Sequence, residues 1–191
     1  MKTLQTRTNA LAMISKVADF KTRKMLANGI WNSKLCYCLP VFGGTEGYLL
    51  SALRKMQNRA AKLVCWKGKF YSPSRALREV GWLPVTSMVD YYSLLEAKRV
   101  LETKKPEYLY EKLVGGHSRP KYVTRLCVGG DLRYGPGMHA NLSLTKKSWR
   151  WRVRSMWADV PISVRKITNY NGFKVELKKW LWSLVKWRKK T

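Results

Sequence analysis

The chain has 191 residues, enough for one domain or two small ones with a real core, and 46% of them are hydrophobic, which excludes wholesale disorder. Lys and Arg number 38 against 11 Asp and Glu, a formal net charge of +27; a surface that positive repels itself and favours a polyanion, nucleic acid first and an anionic membrane surface second. No apolar run is long enough to span a bilayer and MKTLQTRTNALAM lacks the unbroken apolar core of a signal peptide, so the expectation is an intracellular protein, nuclear or cytoplasmic, neither secreted nor transmembrane.

The elements read mainly as helices. Thr8 or Asn9 is placed to cap a first helix running to about Val17. A second starts near Asp19 and crosses FKTRKMLANGIWNSKLCYCL until Pro40 stops it; Gly29 within it costs about 1 kcal/mol relative to Ala and marks a kink. After Gly43-Gly44, Thr45 or Glu46 opens a third helix. Its Leu49, Leu50, Leu53, Met56, Ala60, Leu63 and Val64 recur at three- and four-residue steps, and Arg54, Lys55, Arg59 and Lys62 occupy much of the other face. In SPSRALREVGWLPV, Ser72 as cap, Pro73 at the first helical position and Gly81 past the end punctuate a short helix. Leu83-Pro84 turns the chain. Thr86 opens a long helix with Met88, Tyr91, Tyr92, Leu95 and Val100 as its buried stripe; Pro106 ends it, and EYLYEKLV makes a further short helix closed by Gly115-Gly116. Residues 117–145 read as loop with short strands at 122–128 and 141–144. KKSWRWRVRSMW, from Lys146 to Trp157, alternates aromatic and basic residues, a pattern open to strand or helix. A last helix from about Gly172 gathers Phe173, Leu177, Trp180, Leu181, Leu184 and Trp187 in one arc, with Lys174, Lys178, Lys179, Lys186, Lys189 and Lys190 around the rest. That basic amphipathic helix suits docking on a core, contact with phosphate or an anionic membrane surface.

Catalytic motifs are not apparent. The four aspartates, Asp19, Asp90, Asp131 and Asp159, form no adjacent pair of the kind that holds two divalent cations. Cys36-x-Cys38 is the one close thiol pair; Cys65, Cys127, His117 and His139 are isolated, so no zinc site or activated nucleophile is expected, and the thiols are expected to be reduced. Gly43-Gly44 and Gly129-Gly130 lack the spacing and following Lys of a phosphate loop. No metal and no cofactor is expected. The charge sits at the two ends: 13 basic and 2 acidic side chains in residues 1–70, 11 and 7 in 71–145, 14 and 2 in 146–191. If WRWRVR is extended, Arg150, Arg152 and Arg154 line one side, facing phosphates, and the rings of Trp149 and Trp151 lie on the other, packing inward or stacking on bases; the alternative is a core strand with a solvated outer face.

Five segments in order resemble the region behind the catalytic core of non-LTR (LINE-type) retrotransposon reverse transcriptases. ISKVADFKTRKMLANGIWNSKLCYCLPVFGG (14–44) looks like the helices following the palm. QNRAAKLV is similar to the Gln-Asn-x-Ala-Ala-Arg helix, SPSRALREVGWLPV (72–85) to the Gly/His-Trp-Leu-Pro-Val segment and PEYLYEKL (106–113) to a Pro-x-Tyr-Leu motif. RSMWADVPISVRKITNYNGFKVELKKWL (154–181) resembles the closing Leu-Trp-Asn-x-Leu-Pro … Phe-Lys-x-x-Leu-Lys stretch. Departures are Ala158-Asp159-Val160 in place of Asn-x-Leu and Lys62 where Arg is frequent. The residue pattern gives a mainly α fold with a helical hairpin region at 71–116, a loop-rich linker at 117–145 and a basic aromatic module at 146–191, and the resemblance implies that the basic bundle at 1–70 is thumb-like. It implies a non-catalytic part of an RNA-directed DNA polymerase, gripping a duplex or RNA–DNA hybrid, with the palm aspartates upstream of Met1. The expected phosphate contacts are Lys21, Arg23, Lys24, Arg54, Arg59 and Lys62 in a first patch and Arg150, Arg152 and Arg154 in a second. A membrane-surface or protein-docking module acting through the last helix, and a decayed remnant without function, are the alternatives.

Overall fold

A computed structural model describes residues 2–37, 39–43, 47–114 and 148–187. These are mainly helical, and no strand occurs among the described residues. The strands expected at 122–128 and 141–144 lie outside them. The chain gathers into two compact units, Met1–Val89 and Asp90–Thr191. No helix among the described residues is long and apolar enough to cross a membrane.

The first unit opens with α1 (Lys2–Ile14), which starts before its expected cap. Thr8 lies inside this helix and is buried, its hydroxyl donating to Leu4 O at 2.8 Å and accepting from Trp31 Nε1 at 2.9 Å. Asp19 does cap α2 (Phe20–Leu26), accepting from the amides of Lys21 and Thr22 at 3.1 and 3.3 Å. Hydrogen bonding from Thr22 holds its carboxyl below the ordinary value. The helix continues through a π-helical stretch, Ala27–Asn32, into α3 (Ser33–Cys36). Gly29, the expected kink, falls in that wider turn. There Trp31 is fully buried and stacks on Trp82, with centroids 5.5 Å apart and planes 15° apart. Asn28 Oδ1 accepts from Trp82 Nε1 at 2.7 Å. Pro40 does not end this run: the backbone leaves helical geometry at Tyr37, and Pro40 sits in the first turn of α4 (Leu39–Phe42), where its missing N–H costs nothing.

Helix α5 (Gly47–Val64) packs against α1 and α6 (Pro73–Val80). Its Ala60 and Ala61 are fully buried, small enough for neighbouring helices to approach closely. Gln57, also fully buried, donates from Nε2 to Leu83 O at 2.8 Å and accepts from Val85 N at 3.0 Å. Pro84, between these two residues, has no N–H to offer, so one amide side chain serves both polar groups of the Leu83-Pro84-Val85 turn. It thereby caps α7 (Val85–Thr103). At the end of α6, Gly81 adopts the left-handed conformation (φ 80°), and the Trp82 amide returns to Leu77 O at 2.8 Å.

In the second unit, Leu94, Leu95, Ala97 and Val100 of α7 are buried, and Tyr91 and Tyr92 meet edge to face. The remaining elements are α8 (Glu107–Val114), α9 (Trp149–Asp159), α10 (Ile162–Arg165) and α11 (Tyr170–Trp187). Of the expected arc on α11, Phe173, Leu177 and Leu181 are buried and Trp180 and Leu184 half-buried. Phe173 meets Trp157 of α9 at 6.2 Å. Lys98 is buried: its ammonium pairs with Glu102 at 3.0 Å, donates to Arg165 O at 3.1 Å and stands over the Phe173 ring at 5.4 Å.

Candidate nucleic-acid interface

Positions 55, 59 and 62 are four and three residues apart, so Lys55, Arg59 and Lys62 share one stripe of α5. Like charges at such spacing destabilise an isolated helix by about 0.2–0.5 kcal/mol a pair. The stripe is therefore not explained by helix stability. The chain then loops from Cys65 to Ser72 before α6 begins, carrying Lys67 and Lys69 to the same place. Together these five cations, with Asn58, Leu63 and Pro73, line an open concavity of about 470 Å³ that includes no acidic side chain in its lining. Lys62 Nζ donates to Lys69 O at 2.6 Å, which ties the loop to the helix.

The loop begins with an unusual helix end. The amides of Trp66 and Lys67 return to Leu63 O and Lys62 O at 3.1 and 3.0 Å, the pattern that normally places glycine at the left-handed position. Here that position is Trp66, with φ 52° and a ring 55% exposed. Beneath it, Arg23 donates to Val64 O at 2.8 Å and Ala18 O at 2.6 Å while its guanidinium stands 5.8 Å from the Trp66 ring. At the far end of the loop, Tyr71 donates its hydroxyl to Glu79. That bond is the leading cause of a Tyr71 pKa raised, and a Glu79 pKa lowered, from the ordinary values.

The residues expected to meet phosphate separate into two groups. Arg59 and Lys62 line the concavity; Arg54 is exposed on the same helix, Lys21 is exposed and Lys24 half-buried on α2. Arg23 is occupied in holding α2 to the end of α5. WRWRVR proves helical, with Ser148 Oγ capping α9 by accepting from the Trp151 amide at 3.4 Å. The separation of rings from cations that an extended chain would give therefore does not arise: Val153, Arg154 and Trp157 form the buried face. Arg154 is 1% exposed and donates from Nη2 to Leu113 O at 3.0 Å, a carbonyl in the last turn of α8. It belongs to the core of the second unit. Arg150 is half-buried, and so is Arg152, whose pKa burial lowers against the opposing pull of Asp90.

Lys67 and Lys69 were not anticipated, although WKGKFY between two helices mixes basic and aromatic residues as WRWRVR does. Cys65 is buried against Ala76 O at 3.7 Å, and burial pushes its thiol up to about 12, the opposite of an activated nucleophile. Cys38 lies outside the described residues. Among the described residues no group of three His, Cys, Asp or Glu could hold a metal ion. The second unit carries a contrasting pocket of about 340 Å³, formed by Leu94, Met156, Trp180, Leu181 and Leu184 with Asp90 and Asp159.

Fold and geometry thus define a mainly helical protein with a cation-lined concavity in its first unit. No protein-family model matches the chain, and no curated protein and no solved structure matches it.

Proposed function

We propose that the protein binds nucleic acid through the phosphate backbone, as the thumb and post-thumb part of a LINE-type reverse transcriptase, and performs no catalysis itself. The observation that carries this reading is the concavity with Lys55, Arg59, Lys62, Lys67 and Lys69 in its wall. Five cations held that close repel one another, and a phosphodiester chain replaces repulsion with attraction while releasing its counterions. Phosphate contacts carry no base information, so the protein grips duplex or hybrid with little sequence preference. Nucleotidyl transfer itself would fall to palm aspartates that the resemblance assigns to a different segment.

The test is binding of a labelled RNA–DNA hybrid across a salt series. Five phosphate contacts predict a slope of about −4.5 for log affinity against log salt. A salt-independent affinity, or none at low salt, would sink the proposal. The competing reading, a membrane-surface module, needs a free apolar face on α11. Phe173, Leu177 and Leu181 are buried there instead. Flotation with anionic liposomes, with and without residues 172–191, separates the two readings.

A further inference from the structure

We infer that the loop from Cys65 to Ser72 is a clamp for unpaired nucleic acid, with phosphates on Lys67 and Lys69 and a base stacked on Phe70. The inference rests on the nucleic-acid reading above and names the form of the ligand that this part of the site takes. Phe70 is 98% exposed, so its ring gains almost nothing from the fold. It directly follows Lys69 of the concavity wall. The loop around it is not slack: Lys62 holds the Lys69 carbonyl, Tyr71 is bonded to Glu79, and the entry at Trp66 is fixed by two helix-ending hydrogen bonds. A bulky side chain in left-handed geometry at that entry is unfavourable, and such outliers gather where function demands them. The Trp66 ring already has Arg23 near it. Among the described residues Phe70 has no ring or cation contact of that kind, which leaves it as the stacking surface.

An exposed ring beside closely spaced cations is the combination by which proteins hold single strands, where a flat base meets an aromatic face and the backbone follows the charge. In a duplex the base faces are already stacked on one another, so Phe70 has work only at an unpaired stretch. An aromatic and basic loop also suits an anionic bilayer. The concave arrangement of the cations favours a narrow chain of phosphates over a flat surface.

The experiment compares the full chain with Phe70→Ala, Phe70→Trp and Lys69→Gln on three probes of equal charge, a single-stranded oligonucleotide, its abasic counterpart and an RNA–DNA hybrid, and on vesicles of phosphatidylcholine and phosphatidylserine. Phe70→Ala is expected to weaken single-strand binding about fivefold to a hundredfold, with no change on the abasic strand or the hybrid and an unchanged salt slope. Phe70→Trp should restore the affinity. Lys69→Gln should lower the salt slope by about 0.7 on either single strand. Equal single-strand binding by Phe70→Ala and the parent, or an equal loss on the abasic strand, overturns the inference while the nucleic-acid reading stands. Failure of every form to bind any probe at low salt removes both. Loss of anionic-vesicle binding in Phe70→Ala with oligonucleotide binding intact makes the loop a membrane contact and overturns the inference as well. Phe70 is exposed, so unfolding midpoints of its variants should match the parent, which keeps these outcomes free of folding effects.

Discussion

Gln57 shows how much one buried side chain can settle. Its amide both donates and accepts, which the Leu83-Pro84-Val85 turn requires and which neither Glu nor Leu can reproduce at neutral pH. Gln57→Glu still accepts from the Val85 amide but turns a carboxylate oxygen toward Leu83 O, and should cost about 1–3 kcal/mol. Burial raises the pKa of that carboxyl, so the variant's stability is fullest below the unfolded-state pKa and is lost as pH rises through the folded-state value. Urea midpoints in mild acid should therefore lie closer to the parent than those at neutral pH. Cys65 follows the same sign. Its thiol moves from an ordinary 9.0 to about 12, so its contribution is intact below 9.0 and falls away as pH climbs toward 12. At neutral pH an alkylating reagent should leave it unmodified in the folded protein and label it fully in denaturant.

At the scale of elements, helix ends decide the geometry of the first unit. Gly81 ends α6 at φ 80°, and a Cβ there would meet nothing within 4 Å, so Gly81→Ala isolates the backbone penalty. The expected loss is about 1–2 kcal/mol in chemical denaturation, with Gly81→Asn costing less. This stop was legible in the sequence because Pro73 and Gly81 each have a local conformational reason for their place. So were the start of α2 near Asp19, the buried Met88, Leu95 and Val100 of α7, and the buried Phe173, Leu177 and Leu181 of α11, whereas Tyr91 and Tyr92 of the expected α7 stripe are half-buried and Leu94 and Ala97 take their place. Three features were not. Thr8 looks like a cap, but its hydroxyl is committed to Trp31, a partner 23 positions away that no local pattern reveals. WRWRVR satisfies a period of two as well as a helical one, and the helix goes with the Ser148 cap and the Arg154 bond to the Leu113 carbonyl, a partner 41 positions away. The helix end at Trp66 carries none of the glycine that usually announces it, which hid the loop that completes the concavity.

Across the whole molecule, a net charge of +27 works on stability and binding in opposite directions. Salt shortens the screening length from about 30 Å at about 0.01 M to about 10 Å at about 0.1 M, which relieves self-repulsion in the folded state. Unfolding midpoints should rise over that range while the affinity for nucleic acid falls. A midpoint that is flat or falling would mean that the cations are already neutralised within the fold. Among the described residues a few acidic groups do this locally, as Glu102 does for Lys98 and Glu176 for Lys179; the wall of the concavity includes none, although Glu79 behind the loop attracts Lys67.

Lys98 offers a means of timing motion in the second unit. Most described lysines meet solvent, whereas its amine is enclosed by Glu102, the Arg165 carbonyl and the Phe173 ring. An acylating reagent should therefore modify exposed Lys166 at once and reach Lys98 only when this packing opens. The ratio of the two rates, followed by peptide mass spectrometry, is a direct reading of the opening equilibrium. A single amine would thus serve as a clock for breathing of the core, in a protein whose other lysines supply the reference rate.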